Sequence, residues 1–419
     1  MNILLLSPYP PYPPRGGGAL RIFHLLRGLA ARHEVTLLSF APDAAAVAGM
    51  TPLRDFCRLA TVIGPPPRPM LARAFTTLAS PLPDMALRNA DPQYAEALSR
   101  ILAAQRFDLV QAESIEMAGY GLMSRSFAPP NQAPRSILDQ FNAEYVLQRR
   151  AAYTDLRRGL ALRPRALLGG IYSLIQWRKL AAYERRMLRS YDWMLVVSDE
   201  DRRALRRLDR RAEPLVIPNG VDAAHYRPGT VTPIDFGGPA IVFTGTFDFR
   251  PNIDAINWCV RKVLPLVRAR RPDARLVLVG RGATAAVRAL HNGVAVDLVG
   301  EVPDVRPYIA GAAVFAVPLR IGGGSRLKLL EALAAAAPVV STTMGAEGID
   351  GLGHERHLLL ADRPADFAAA ILRLLDDPAL GRRLGAAGRT HVAAQYDWNA
   401  IIPRLEQTIT MSPSAKNHP

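Results

Sequence analysis

Arg326, Lys328 and Glu331 follow a run of three glycines and a serine in GGGSRLKLLEALAAAAPVV, from Gly322 to Val340. Glycines let a backbone approach a ligand closely. A helix starting at about Ser325 turns its unpaired N–H groups and the positive end of its dipole toward whatever precedes it, with Ser325 placed to cap. Arg326 and Lys328 in the first turn oppose that dipole, so cations there imply an anion to offset them, and phosphate is the expected one. Glu331 stands on the same helical face as Lys328, where its carboxylate can accept hydrogen bonds from sugar hydroxyls. Leu327, Leu330, Leu333 and Ala334 form the expected core stripe. The same residues also fit a plain surface turn with a Lys328–Glu331 ion pair, and spacing alone leaves both readings open.

Such a loop needs a strand before it and a sheet beneath it. Strand and helix patterns alternate along the whole chain, which predicts parallel α/β architecture. Asn2–Ser7 is a continuous apolar run suited to a central parallel strand. The loop PYPPYPPRGGG follows it, and then a helix over Ala19–Arg32. Val35–Phe40, Asp108–Gln111, Ser136–Leu138 and Trp193–Val197 are expected strands of the same sheet. Helical patterns lie at Gln93–Gln105, Glu144–Tyr153 and Ile171–Arg189. A second alternation follows PNG (Pro218–Gly220), with strands at Ala240–Thr244, Arg275–Val279, Ala295–Val299, Ala313–Val317 and Pro338–Ser341 and a helix over Ile253–Arg270. The expected organisation is two Rossmann-like domains, residues 1–212 and 213–395, with 396–419 as a last helix and tail. Open parallel sheets bind ligands at the carboxyl ends of their strands, and two of them facing each other would hold a two-part substrate in a cleft.

At 419 residues the chain suits two domains. Cys57 and Cys259 read as buried thiols in a reducing compartment. The first apolar run is shorter than a signal peptide, and ALLGGIYSLIQW (Ala166–Trp177) falls short of the roughly 20 residues a membrane span requires. A cytoplasmic protein, soluble or peripheral on the inner membrane face, is expected. The net charge is +15, and the stretch from Gln148 to Arg211 holds sixteen Arg and one Lys against seven Asp or Glu. Such a surface suggests an anionic partner; equally, with only four Lys in the chain, it can reflect a bias toward Arg. Clustered arginines beside Ile171, Tyr172, Leu174, Ile175 and Trp177 predict contact with an anionic membrane surface, against a solvated helix that merely completes the core. Interleaved aromatics and a recognisable module are missing, which argues against nucleic acid. The eight histidines are scattered without ligand spacing, so no metal is expected. His24, behind the glycine loop, reads as a packed or surface residue.

Six segments in order carry a resemblance: VIPNGVDAAHYRP (Val216–Pro228), GTFDFRPNIDA (Gly245–Ala255), LVLVGRG (Leu276–Gly282), GEVPDVRPYIAGAAVFAVPL (Gly300–Leu319), GGGSRLKLLEALAAAAPVVSTTMGAEGI (Gly322–Ile349) and YDW (Tyr396–Trp398). From Val216 onward the chain resembles the retaining GT-B glycosyltransferases of the family 4, or group 1, type. The resemblance implies a donor site in the second domain. Arg326 and Lys328 would bind the donor diphosphate and stabilise charge on the departing nucleotide. Gly324 and Ser325 would add backbone N–H groups, Glu331 would bind the ribose, and backbone near Val302 would meet the base. Gly245 and Arg250 would flank the phosphates, and Gly17 and Gly18 would close on them from the first domain. The last helix, from about Asn399, would cross back to the first domain. A nucleotide diphosphate sugar is the implied co-substrate, with no cofactor, and a lipid-linked or saccharide acceptor the implied partner.

Three departures from the family pattern stand out. Gly323 occupies the place of a sugar-binding glutamate, GTFDFRPN supplies one cation (Arg250) where two are common, and Phe141 replaces a histidine in FNAEY. Glu113, Asp139, Asn142 and Glu144 are candidate acceptor-binding or structural groups in the first domain. Retention in this family is attributed to front-face attack in which the leaving phosphate takes the acceptor proton, so no enzyme base is required. A nucleotide-sugar epimerase on the same fold and a catalytically silent sugar-nucleotide-binding partner are the alternatives.

Overall fold

A computed structural model describes residues 1–129, 132–159, 164–321 and 326–410, without the side chains of 154–168. The chain forms two compact units, Met1–Pro218 with the chain from Ile402 onward, and Asn219–Ile401.

The first unit is built on seven parallel strands: β1 (Asn2–Ser7), β2 (Glu34–Ala41), β3 (Arg58–Ile63), β4 (Leu109–Glu113), β5 (Arg135–Gln140), β6 (Trp193–Val196) and β7 (Leu215–Val216), in the order β3-β2-β1-β4-β5-β6-β7. A boundary at 212/213 would detach β7 from this sheet. The central strands β1 and β4 are buried along almost their whole length, as a sheet covered on both faces requires. Four helices matter below: α1 (Gly17–Ala30), α2 (Met70–Ala79), α3 (Glu144–Gly159) and α4 (Pro164–Ser190).

The second unit has six parallel strands, β8 (Ala240–Thr244), β9 (Arg275–Val279), β10 (Val296–Gly300), β11 (Val314–Val317), β12 (Val339–Ser341) and β13 (Leu359–Leu360), in the order β10-β9-β8-β11-β12-β13. This is the doubly wound order whose strand sequence reverses beside its first strand, and ligands of such sheets sit outside the carboxyl ends at that reversal. It falls between β8 and β11 here, as it does between β1 and β4 in the first unit.

α5 (Arg250–Trp258) and α6 (Leu327–Ala334) follow β8 and β11. The expected single helix over Ile253–Arg270 is interrupted: α5 gives way to a wider π turn at Cys259–Val263 before helix resumes at Leu264–Arg268. Pro265 explains it, because its ring removes an N–H and crowds the carbonyl one turn back. The buried face of α6 consists of Leu329, Leu330, Ala332, Leu333 and Ala334, while Leu327, its first residue, is half-buried against the core.

The last helix, α7 (Trp398–Thr410), starts in the second unit and ends in the first. Its Ile402 lies so close to α1 that a Cβ on Gly28 would come within 2.4 Å of it, and its Glu406 pairs with Arg32. Cys57 and Cys259 are buried free thiols. Among the described residues no helix is long and apolar enough to cross a membrane.

Candidate functional site

In the second unit β8 delivers the chain to Gly245, where a Cβ would lie 2.8 Å from both Asn252 Nδ2 and Lys328 Nζ. The position must stay bare for those two side chains to meet above it. Lys328 Nζ donates to Asn252 Oδ1 (2.8 Å) and rests 4.0 Å from the centre of the Phe243 ring. Asn252 is itself held by a hydrogen bond from Nδ2 to the Thr246 carbonyl (2.8 Å). An ammonium carries three N–H donors, so Lys328 can serve Asn252 and the ring face and still offer a donor to an anion.

Burial pushes Lys328 down to about 7, with the Arg326 charge adding to that effect and Glu331 opposing it. Burial likewise pushes Glu331 up to about 7, against the Tyr226 hydrogen bond and the Lys328 charge. An anion arriving at Lys328 favours its charged form and so recruits a proton. Glu331 takes its hydrogen bond from the Tyr226 hydroxyl, whose own ionisation burial suppresses. The Arg326 guanidinium is buried and donates through Nε and Nη2 to the Met344 carbonyl (3.3 Å each), with Glu347 at 3.8 Å. Arg250 is the first residue of α5, and Val302 packs half-buried on the core after β10. The structure therefore gathers Gly245, Lys328 and Glu331 near Arg326. Gly324 and Ser325, with Gly322 and Gly323, lie outside the described residues.

In the first unit Gly17 and Gly18 open α1 after Gly16, whose φ is +97°. A Cβ on Gly18 would stand 1.8 Å from the Tyr9 hydroxyl and 3.2 Å from the Phe141 ring, so this glycine is demanded by close packing. Glu113 and Asp139 are register partners at the ends of β4 and β5, and both are fully buried. Asp139 is gripped by Arg21, Nε to Oδ2 and Nη2 to Oδ1 at 2.7 Å each, while Arg21 Nη1 donates to the Pro218 carbonyl (3.1 Å). Burial, then the Asp139 charge, holds Glu113 well above the usual carboxylate range. Asn142 donates to Glu144 (3.2 Å), and both are half-buried. Burial raises Glu144 to about 7. Behind them Glu184, fully buried, accepts from the Glu144 and Tyr145 backbone N–H groups at the start of α3.

No group of three or more His, Cys, Asp or Glu that could hold a metal occurs among the described residues. Residues 16–220 match the family described as "Glycosyl transferase 4-like domain", and residues 238–377 that described as "Glycosyl transferases group 1". The chain belongs to the group 1, family 4 glycosyltransferases. Its relatives include an uncharacterized 44.6 kDa protein in the cps region of Klebsiella pneumoniae, 24% identical over 96% of this chain and 98% of that one. The GDP-mannose-dependent monoacylated alpha-(1-6)-phosphatidylinositol monomannoside mannosyltransferase of Corynebacterium glutamicum is 30% identical over 47% of this chain, a match spanning 56% of that protein. Two solved structures share the fold: sucrose-phosphate synthase from Thermosynechococcus elongatus (TM-score 0.72, 21% identity, 97% and 98% coverage) and Anabaena HepE with UDP and glucose (TM-score 0.67, 14% identity, 98% and 99% coverage). The two sheets are the two Rossmann-like domains of this GT-B glycosyltransferase.

Four residues of these glycosyltransferase units escape a sequence reading: Asn252, Tyr226, Arg21 and Glu184. Signals existed for two. Arg21 shares the phase of Leu25 and Leu29, a core stripe in which an arginine is out of place. Asn252 lies two residues from Arg250 in a segment that already carries the family resemblance.

Proposed function

We propose that this glycosyltransferase moves a hexose, with retention, from a nucleotide diphosphate sugar to a hydroxyl of a lipid-linked or polysaccharide intermediate at the cytoplasmic face of a membrane. The observation that carries the reading is the cationic site at the reversal of the second sheet, where Lys328 stands over bare Gly245 near buried Arg326. Two cations there can bind a diphosphate and stabilise it as it leaves. Glu331, hydrogen-bonded to Tyr226, would accept from ribose hydroxyls. Gly324 and Ser325 would complete the phosphate contacts, Gly245 and Arg250 would flank them, and backbone near Val302 would meet the base. Asn142 and Glu144, still half-open, are the acceptor-binding candidates; Asp139 and Glu113, enclosed, hold the strand ends that position them. The lipid acceptor draws support from the mannosyltransferase relative, whose name specifies a phosphatidylinositol mannoside.

The test is incubation with a panel of nucleotide sugars and membrane extract, following nucleotide release and the anomeric configuration of the product. Release should depend on extract, and the sugar should keep its donor configuration. It should also persist in excess chelator, because cationic side chains serve the phosphates; complete loss, restored by magnesium or manganese, would show that a metal does that work.

Glu331→Gln tests the ribose assignment. Losing a hydrogen bond to a charged group costs roughly 1.5–3 kcal/mol, so nucleotide affinity should fall about tenfold or more while the melting temperature barely changes. A large thermal loss with normal affinity would instead make the Glu331–Tyr226 contact purely structural.

A further inference from the structure

Helix α2 is built inside out. Arg73, Thr76 and Thr77 share one face, and Leu71, Phe75 and Leu78 share the opposite one at i, i+4 and i+7. The polar face points inward. Arg73 donates to Asp84 Oδ2 (3.2 Å) and to the Tyr172 hydroxyl (3.2 Å), Arg68 Nη2 donates to Thr76 Oγ1 (2.8 Å), and Gln176 Nε2 donates to Thr77 Oγ1 (3.1 Å). Lys179 of α4 closes the carboxyl end, donating to the carbonyls of Thr76, Thr77 and Ser80. These bonds fix the rotation of the helix. In consequence Met70 (84% exposed), Leu71 (85%), Phe75 (71%) and Leu78 (82%) stand in water.

An ordered helix that keeps four large apolar side chains exposed marks an interaction surface. What covers it follows from the rim. At the amino end of α2 a cavity of about 440 Å³ is lined by the proline run 65–67 together with Arg68, Arg73, Asp84 and Arg88. Arg68 and Arg73 share the Asp84 carboxylate, which leaves one positive charge in excess, and Arg88 pairs with Glu116 outside the lining. Apolar side chains set beside arginines that can hold phosphate match the boundary of a bilayer with acidic headgroups, where acyl chains and phosphates lie side by side. The expected interfacial set on α4 is largely taken up by packing: Tyr172 is bonded to Arg73, Leu174 and Ile175 are half-buried, Trp177 packs on the core, and only Ile171 is exposed. α2 therefore exposes the larger apolar set.

We propose that α2 docks the first unit onto an anionic bilayer, with Met70, Leu71, Phe75 and Leu78 at the acyl boundary and Arg68, Arg73 and Arg88 at the lipid phosphates. This deepens the reading of a membrane-face acceptor without depending on the donor site. Wild type and Leu71→Ser/Phe75→Ser/Leu78→Ser are compared by sedimentation with vesicles of phosphatidylcholine alone and of phosphatidylcholine with phosphatidylglycerol. Nucleotide diphosphate affinity and melting temperature are measured on the same samples. Wild type should pellet with the anionic vesicles, less so as salt rises, and the variant should partition at least about tenfold more weakly, each removed apolar group subtracting buried area. Its folding and nucleotide affinity should match wild type, because the changed side chains face solvent. Equal pelleting of variant and wild type, or no pelleting of wild type on acidic vesicles, overturns the proposal; intact nucleotide binding in that case leaves the donor reading standing. A concentration-dependent dimer that the variant abolishes would assign the face to a second copy of the chain instead.

Discussion

Lys328→Ala should weaken nucleotide diphosphate binding by about tenfold or more, and Lys328→Ala/Arg326→Ala by about a hundredfold. Each change removes a charged donor, worth roughly 1.5–3 kcal/mol against an anion. The two should not behave alike. Lys328 sits where burial pulls it down to about 7, which favours its neutral amine in the unliganded site. Phosphate binding pulls the proton on. Calorimetry in buffers of different ionisation heat should therefore show proton uptake on binding at pH 7–8, and affinity should decline as pH rises above the Lys328 value. In Lys328→Ala the Lys328 share of that uptake should vanish. Arg326 has no neutral form within reach, but its charge helps hold Lys328 down, so Arg326→Ala should lower affinity and move the decline with pH to higher pH. Arg326 also holds the Met344 carbonyl, and its loss is expected to cost stability, whereas the single Lys328 variant should fold as wild type. Unchanged affinity in Lys328→Ala would remove the phosphate assignment, and unchanged proton uptake would remove the coupling.

How much of this was legible in the residues depended on burial. β8 and β9 are read to the residue, because each is an apolar run covered on both faces and bounded by Gly or Pro. β3 was invisible: it lies at the sheet edge, half-exposed, and RLATVI has neither clean alternation nor a continuous apolar run. β13 is two residues long and rests on its pairing with β12 alone. α2 defeated pattern reading for another reason, since its periodicity is sound but inverted, with threonines within and Leu71, Phe75 and Leu78 without. In the site, Arg326, Lys328 and Glu331 are named by glycine-loop spacing, but their partners Asn252 and Tyr226 come from segments distant in sequence. Only the fold of the sheet brings those partners to one place.

The costliest single change in the first unit should be the loss of Asp139. It and Arg21 are 0% and 1% exposed and joined by two bonds of 2.7 Å, and removing one partner of a buried ion pair costs about 3–5 kcal/mol. Asp139→Ala leaves a guanidinium that cannot lose its proton to rely on Glu113; Arg21→Met leaves a carboxylate that can itself gain a proton, so it should be milder. Glu113 decides how far Asp139→Asn falls. In the wild type burial and the neighbouring Asp139 charge both oppose its ionisation, while Arg21 favours it. With that charge gone, Glu113 can ionise and take over as counter-ion to Arg21. A group raised in the folded state contributes stability that is fully present below its unfolded value and lost as pH rises through the folded one. Wild type should therefore lose part of its stability as pH climbs above the ordinary carboxyl value of 4.5, and Glu113→Gln should flatten that slope. Asp139→Asn should flatten it too, since Glu113 then ionises readily. In Asp139→Asn/Glu113→Gln no carboxylate remains for Arg21, and denaturant unfolding should show a loss beyond the sum of the singles by about 1 kcal/mol or more. Strict additivity would mean that Glu113 never replaces Asp139, and that the two carboxyls at the ends of β4 and β5 are neighbours without being a pair.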